Sequence, residues 1–260
     1  MNLTGEYLPM DSIIHHMDAR TKIICFLIYL AAVVMAKSAV GYLCLSVFIF
    51  IVIFLSHLHF RDVLSNVRQT GTFLLIIFVM NAFFFKNQNA IWSFWFFHLT
   101  WKGIVQGFDV VLKVSLLIIG TSILTESTPP MQITSAMEAL MAPLSWMGIP
   151  VEDLALMISV AIQFIPVIAG ETEMIMKAQK ARGANFDSPQ LLEKAQAVMP
   201  LVIPVFISAF QRADELAAAM EARGYRGGKN RTKKVYPSLG WSDAVWIGIV
   251  CLVCAVAIIF

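Results

Sequence analysis

Lys177-Ala178-Gln179-Lys180-Ala181-Arg182-Gly183 and Met220-Glu221-Ala222-Arg223-Gly224-Tyr225 close two long runs of helix-forming residues on the same tripeptide. Each run, Ile168 to Arg182 and Val205 to Arg223, carries a cation in its last turn and glycine at the C′ position. The arginine therefore meets the negative end of the helix dipole, and glycine admits the left-handed residue that stops the helix. One such ending is an ordinary helix stop. Two make a related pair: both follow a proline in an apolar run (Pro166, Pro204), both are preceded by acidic residues (Glu171 with Glu173, Asp214 with Glu215), and both lead into an aromatic residue (Phe186, Tyr225). The proline-to-glycine spacings differ by about one helical turn, so the pair is not a strict repeat.

Outward from this stretch, the chain is a membrane protein by composition. Its 260 residues have a mean hydropathy of +0.75 and only 14% charged residues, and the apolar residues fall in long runs. The entry, Met1 to Lys22, mixes acidic, basic and His residues ahead of any apolar run, so the first apolar segment is expected to stay with the protein rather than serve as a cleaved signal. The net charge of +2 says little as a total. Its distribution says more: 15 of the 19 Lys and Arg lie in Met1 to Lys22, His57 to Arg68 and Thr125 to Trp241, which the positive-inside rule puts on the cytoplasmic face.

Five spans are expected: Ile23 to Ala36, Val40 to Leu58, Thr70 to Phe85, Gly103 to Leu124 and Ala244 to Phe260. Between the last two, Thr128-Pro129-Pro130 breaks the helix, and three helical stretches follow: Met131 to Met147, Val151 to Arg182 and Pro189 to Arg223. Leu154 to Ile168 is apolar, yet it is short for a span, contains Gln163 and Pro166, and runs straight into Glu171. It is expected to lie against the membrane rather than cross it. Methionine recurs here (Met131, Met137, Met141, Met147, Met157, Met174, Met176, Met199, Met220), which suits either ordinary core filling or a surface that repacks against moving partners. Ala213, Ala217, Ala218, Ala219 and Ala222 would let two helices cross closely.

Other candidate chemistry has a plainer account. Cys251 and Cys254 have CxxC spacing, but inside a span and without a second ligand pair they read, like Cys25 and Cys44, as packing residues. His57 and His59 at i, i+2 do not share a helix face, so interfacial anchoring is preferred to a metal site. The aromatic block Ile91 to Trp101 fits an outer-interface belt. Asp109 and Lys113, at i, i+4 inside a span, form either an ion relay or a structural pair. The basic linker Gly224 to Tyr236 suits anionic lipid headgroups rather than nucleic acid. Gly227-Gly228-Lys229-Asn230 lacks the first glycine and the Ser or Thr of a P-loop. No cofactor, metal cluster or catalytic constellation is expected.

The two Ala-Arg-Gly endings, with Lys177 to Gly183 and Met220 to Tyr225 around them, resemble the transmembrane T component of energy-coupling factor (ECF) transporters. The entry His15-His16-Met17-Asp18-Ala19-Arg20-Thr21-Lys22 is similar to that family's His-x-x-Asp-Pro-Arg-Thr-Lys, with Ala19 in place of proline. By their own chemistry Asp18, Arg20 and Lys22 could equally cap a helix and face headgroups. The resemblance implies an all-α polytopic protein: residues 1–22 as cytoplasmic entry, 23–128 as a four-helix membrane region, 129–240 as a cytoplasmic coupling domain of long helices, and 241–260 as a last span. It further implies a non-enzymatic scaffold of an ATP-driven importer of vitamins or other micronutrients, whose partners are two ABC-type ATPases, a substrate-binding S component and membrane lipids. Ala181, Arg182, Gly183, Ala222, Arg223 and Gly224 would be the ATPase-docking residues. The competing reading is a self-sufficient secondary carrier using Asp109 and Lys113. The cargo is not written in this chain, since in the family the S component chooses it.

Overall fold

The computed structural model describes residues 10–58, 60–84, 90–94, 97–186, 190–227 and 240–259. The helices are α1 (Ile13–His16), α2 (Ala19–Met35), α3 (Ala39–Leu55), α4 (Phe60–Gln69), α5 (Gly71–Phe84), α6 (Trp101–Ser127), α7 (Pro130–Met141), α8 (Val151–Ala181), α9 (Leu191–Ala222) and α10 (Trp241–Ile259), with a 3-10 turn at Ala142–Met147. Apart from these, β1 (Ala90–Phe94) and β2 (Phe97–Thr100) pair antiparallel, with Phe94 opposite Phe97. The expected aromatic belt thus takes a hairpin backbone, and the side chains of 90–99 lie outside the described set. Aromatic and β-branched residues in short alternation suit a pleated pair.

Helix starts follow local chemistry. Asp18 Oδ1 accepts from the Arg20 amide at 2.8 Å and Ser38 Oγ from the Val40 amide at 3.2 Å, each supplying an acceptor to an otherwise unsatisfied N–H. At the head of α10, the Gly240 amide donates to Asp243 Oδ2 at 2.9 Å.

The chain divides into two compact units, one holding α1 through Ala136 together with α10, the other running from Met137 through α9. In the first, α2, α3, α6 and α10 enclose Tyr29, Val33, Leu45, Ile49, Leu116, Ile123, Val250 and Cys254. Their outward faces are apolar as well: Phe54 is 77% exposed and Leu252 67%. A helix apolar all round belongs to a deep core or a bilayer, and these exposures leave the bilayer. Inside lipid there is no hydrophobic drive between helices, so close packing and internal hydrogen bonds must hold them. Gly120 sits under the Tyr29 ring, Gly107 against Phe78, and Gly41 against the Ala257 carbonyl. Tyr42 donates its hydroxyl to the Ala36 carbonyl at 2.6 Å, and Asn66 Nδ2 donates to Ser122 Oγ at 3.0 Å and Glu126 Oε1 at 3.2 Å, joining α4 to α6.

Among the described residues, three helices are long and apolar enough to cross a membrane: α6, α8 and α10. The pair Val63–Gln69 and Gly71–Phe83, bent by 55°, could serve as a fourth. The bend falls at Thr70-Gly71, where the Thr70 hydroxyl bonds back to the Asn66 carbonyl at 3.0 Å, a known way to bend a helix. α2 and α3, each 17 residues, cover most of the first two expected stretches, and α3 is an apolar helix just under span length. The stretch Leu154 to Ile168, expected to fall short of a span, belongs to one unbroken 31-residue helix that carries Pro166 inside it.

Candidate functional site

Both arginine endings have the same backbone. α8 stops at Ala181 with Arg182 as C-cap (φ −87°, ψ 4°), and α9 stops at Ala222 with Arg223 as C-cap (φ −85°, ψ 3°). Gly183 and Gly224 come next at φ 92° and 73°, the left-handed region where a Cβ would be strained. The reverse bonds of a complete Schellman motif are present in each. The Gly183 amide donates to Lys180 and the Ala184 amide to Gln179, both at 3.0 Å; the Gly224 amide donates to Glu221 at 2.9 Å and the Tyr225 amide to Met220 at 3.0 Å. Ala181, Arg182, Gly183, Ala222, Arg223 and Gly224 are all exposed. Each end therefore offers solvent a planar guanidinium on a rigid, stopped helix.

Two polar joints set how α8 and α9 run. Glu171 accepts from the Ser208 hydroxyl at 2.5 Å and from Arg212 Nη2 at 3.2 Å and Nε at 3.3 Å. The Tyr225 hydroxyl donates to Asp153 Oδ1 at 3.2 Å. Residue numbers rise along α8 as they fall along α9, so the helices are antiparallel. Arg223 then lies near the first turn of α8, and Arg182 at its far end. At 1.5 Å per residue, α8 separates the two arginines by roughly 30 Å or more. In the sequence Glu171 stands only as part of an acidic patch before the first ending, and no local pattern links its carboxylate to Arg212 or Ser208. Lys177 forms an exposed pair with Glu173 at 2.8 Å, which contributes little.

The entry motif makes an internal joint. Lys22, only 6% exposed, donates from Nζ to the Ser127 carbonyl at 2.9 Å and the His15 carbonyl at 3.4 Å, placing a cation at the C-terminal end of α6. Burial pulls its pKa down to about 8, against the opposing pull of Asp18. Between about 8 and the ordinary 10.5 the unfolded chain holds the extra proton, so folding stability rises with pH across that window. Thermal unfolding in detergent should show the wild type gaining on Lys22→Met from pH 8 to 10.5; parallel pH profiles for the two proteins would remove this account.

Asp109 and Lys113 are half-buried on α6, but they do not neutralise each other: Lys113 Nζ stands 5.5 Å from the Tyr42 ring centroid, and among the described residues it forms no ion pair with Asp109. The ring's negative face holds the ammonium instead. Asp109→Asn is accordingly expected to leave uptake within about twofold of wild type, the span of an unremarkable substitution; loss of uptake in vesicles would restore the carrier reading. Cys25, Cys44, Cys251 and Cys254 are free thiols. Among the described residues no group of three His, Cys, Asp or Glu could hold a metal ion. His57 is exposed at φ 55°, His59 lies outside the described residues, and most of the basic linker, from Gly228 to Tyr236, does so too.

Residues 10–234 match the family described as CbiQ, cobalt transport protein. Among similar proteins is the energy-coupling factor transporter transmembrane protein EcfT of Thermosediminibacter oceani, 40% identical over 229 residues, covering 88% of this chain and 86% of that one. The EcfT of Bacillus subtilis is 38% identical over 258 residues, 99% of this chain and 97% of its own. That of Brevibacillus brevis is 38% identical over 255 residues, 98% and 95% respectively.

Proposed function

Because the chain belongs to the CbiQ cobalt transport protein family, as the transmembrane T component of an ECF transporter, we propose that it is the scaffold that passes ATPase motion to a substrate-binding S component. The observation that carries this is the matched pair of exposed arginine-capped ends at opposite ends of one antiparallel helix pair. A guanidinium fork pairs bidentately with a carboxylate, so each end is a grip, and two grips roughly 30 Å or more apart suit two separate ABC-type ATPases. α8 and α9 are the levers. Motion imposed at either end reaches the other helix through Glu171, Ser208 and Arg212.

The entry and residues 129–240 lie on the cytoplasmic side, as the concentration of Lys and Arg there favours. α8 is read as lying along the bilayer despite its length, because Glu171, Glu173 and Lys177 share the helix with its apolar half. The chain itself is non-catalytic, and the cargo, a vitamin or other micronutrient, is selected by the S component. The test is purification from native membranes in mild detergent, with identification of co-purifying proteins and assay of ATP hydrolysis. Two ATPases with one or more small membrane proteins are expected; a lone chain without ATPase activity would overturn the reading.

A further inference from the structure

The two arginine ends share their cap but differ in the residue just beyond the glycine. At this C″ position the first has Ala184, with no hydrogen-bonding side chain, and the second has Tyr225. The Tyr225 hydroxyl reaches Asp153 in the first turn of α8, whereas the Tyr225 amide already closes the Schellman motif on Met220 at 3.0 Å. One residue thus fastens the cap from inside and ties it to the neighbouring helix from outside. Asp153 is well placed to receive that bond. Asp153 belongs to the first turn of α8, where a helix's dipole favours an acidic side chain. The backbone from Tyr225 to Arg223 has only Gly224 between, and that glycine is committed to its left-handed turn. The hold on the ring therefore acts on backbone only two residues from Arg223.

We infer that Tyr225 and Asp153 are positioning residues for Arg223, pinning the second end to α8 by a bond that Ala184, at the same place in the first end, has no side-chain group to make. This rests on the proposed docking role of Arg223. It makes the two ends mechanically unlike: at the second, a pull on Arg223 is felt at once at the start of α8; at the first, a pull on Arg182 travels down α8 to the Glu171 joint.

The test uses the full chain, alone and with its ATPases. Amide exchange followed by mass spectrometry on the T subunit alone should show faster exchange at 220–227 in Tyr225→Phe and Asp153→Ala, with 179–185 unchanged. Asp153→Asn, which keeps an acceptor oxygen, should fall between these and wild type. In the complex, Tyr225→Phe should weaken ATPase retention by about tenfold, the effect of losing a hydrogen bond to a charged acceptor. That loss should be non-additive with Arg223→Ala and additive with Arg182→Ala. A residue needed only for general stability would couple equally to both arginines. Unchanged exchange at 220–227 in both variants, or equal coupling to both arginines, would overturn the inference. If instead Arg223→Ala leaves ATPase retention intact, the docking role fails, and the exchange data still decide whether the pin exists.

Discussion

Charge reversal at both helix ends, Arg182→Glu with Arg223→Glu, is expected to abolish ATPase attachment and coupled uptake. A guanidinium that is paired with a carboxylate at a desolvated interface contributes about 2–5 kcal/mol when its loss leaves the partner unpaired, on the order of 30-fold or more in affinity per site. Reversal is harsher, since it sets carboxylate against carboxylate. The substitutions spare the fold: both side chains are exposed, and the caps are closed by backbone bonds of Gly183, Ala184, Gly224 and Tyr225 that do not involve the arginine side chains. Each single variant should keep the ATPase held by the other end, and Arg182→Lys should be intermediate, because an ammonium keeps the charge and loses the planar fork. Reconstituted vesicles with assayed uptake, together with a count of co-purifying ATPases, read both effects. Wild-type uptake in the double variant would end the docking proposal.

The second large effect is expected at Gly41, where α3 meets α10. A Cβ built there would stand closer to the Ala257 carbonyl oxygen than real Cβ contacts come, and the obstructing atom is backbone, which cannot rotate aside. α10 must shift, and with it the packing of Cys254 and Val250 against α2 and α3. Gly41→Ala should cost about 1–3 kcal/mol by overpacking, enough to lower the Tm in detergent by roughly 2–10 °C. Gly41→Leu should prevent the bundle from closing and leave little folded protein. Gly248, in α10 itself, has nothing within 4 Å of its ideal Cβ. There Gly→Ala should be neutral or stabilising by up to about 1 kcal/mol, through helix propensity alone. A Gly41→Leu protein that accumulates and melts like wild type would contradict the close approach.

The sequence carried the caps further than any other feature. Arg182, Gly183, Arg223 and Gly224 stand where the Ala-Arg-Gly pattern put them, as C-cap and C′, because a Schellman motif is closed by residues within one turn of each other. The membrane class was equally plain, since long apolar runs are a property of composition. Span boundaries were less so: Thr70 begins a bend rather than a helix, and α8 runs unbroken through Pro166 because an apolar helix carries one proline with neighbouring bonds intact. Asp109 and Lys113 misled, for the i, i+4 rule describes an isolated helix and takes no account of a Tyr42 ring on the helix beside it.

What the sequence determined by itself, then, is the helical membrane character, the two arginine-capped ends and the family. Each depends on residue type or on neighbours a few positions apart, where hydrogen-bond geometry and dipole direction leave one outcome. The tertiary structure alone decided that α8 and α9 run antiparallel, that Glu171 is taken by Ser208 and Arg212, that Tyr225 reaches Asp153, that Lys22 caps α6 and that Gly41 admits Ala257. These partners are far apart in the chain. Any one carboxylate or glycine has several equal candidates until helix faces are brought together, and the choice is made by packing and by the cost of leaving a buried polar group unpaired.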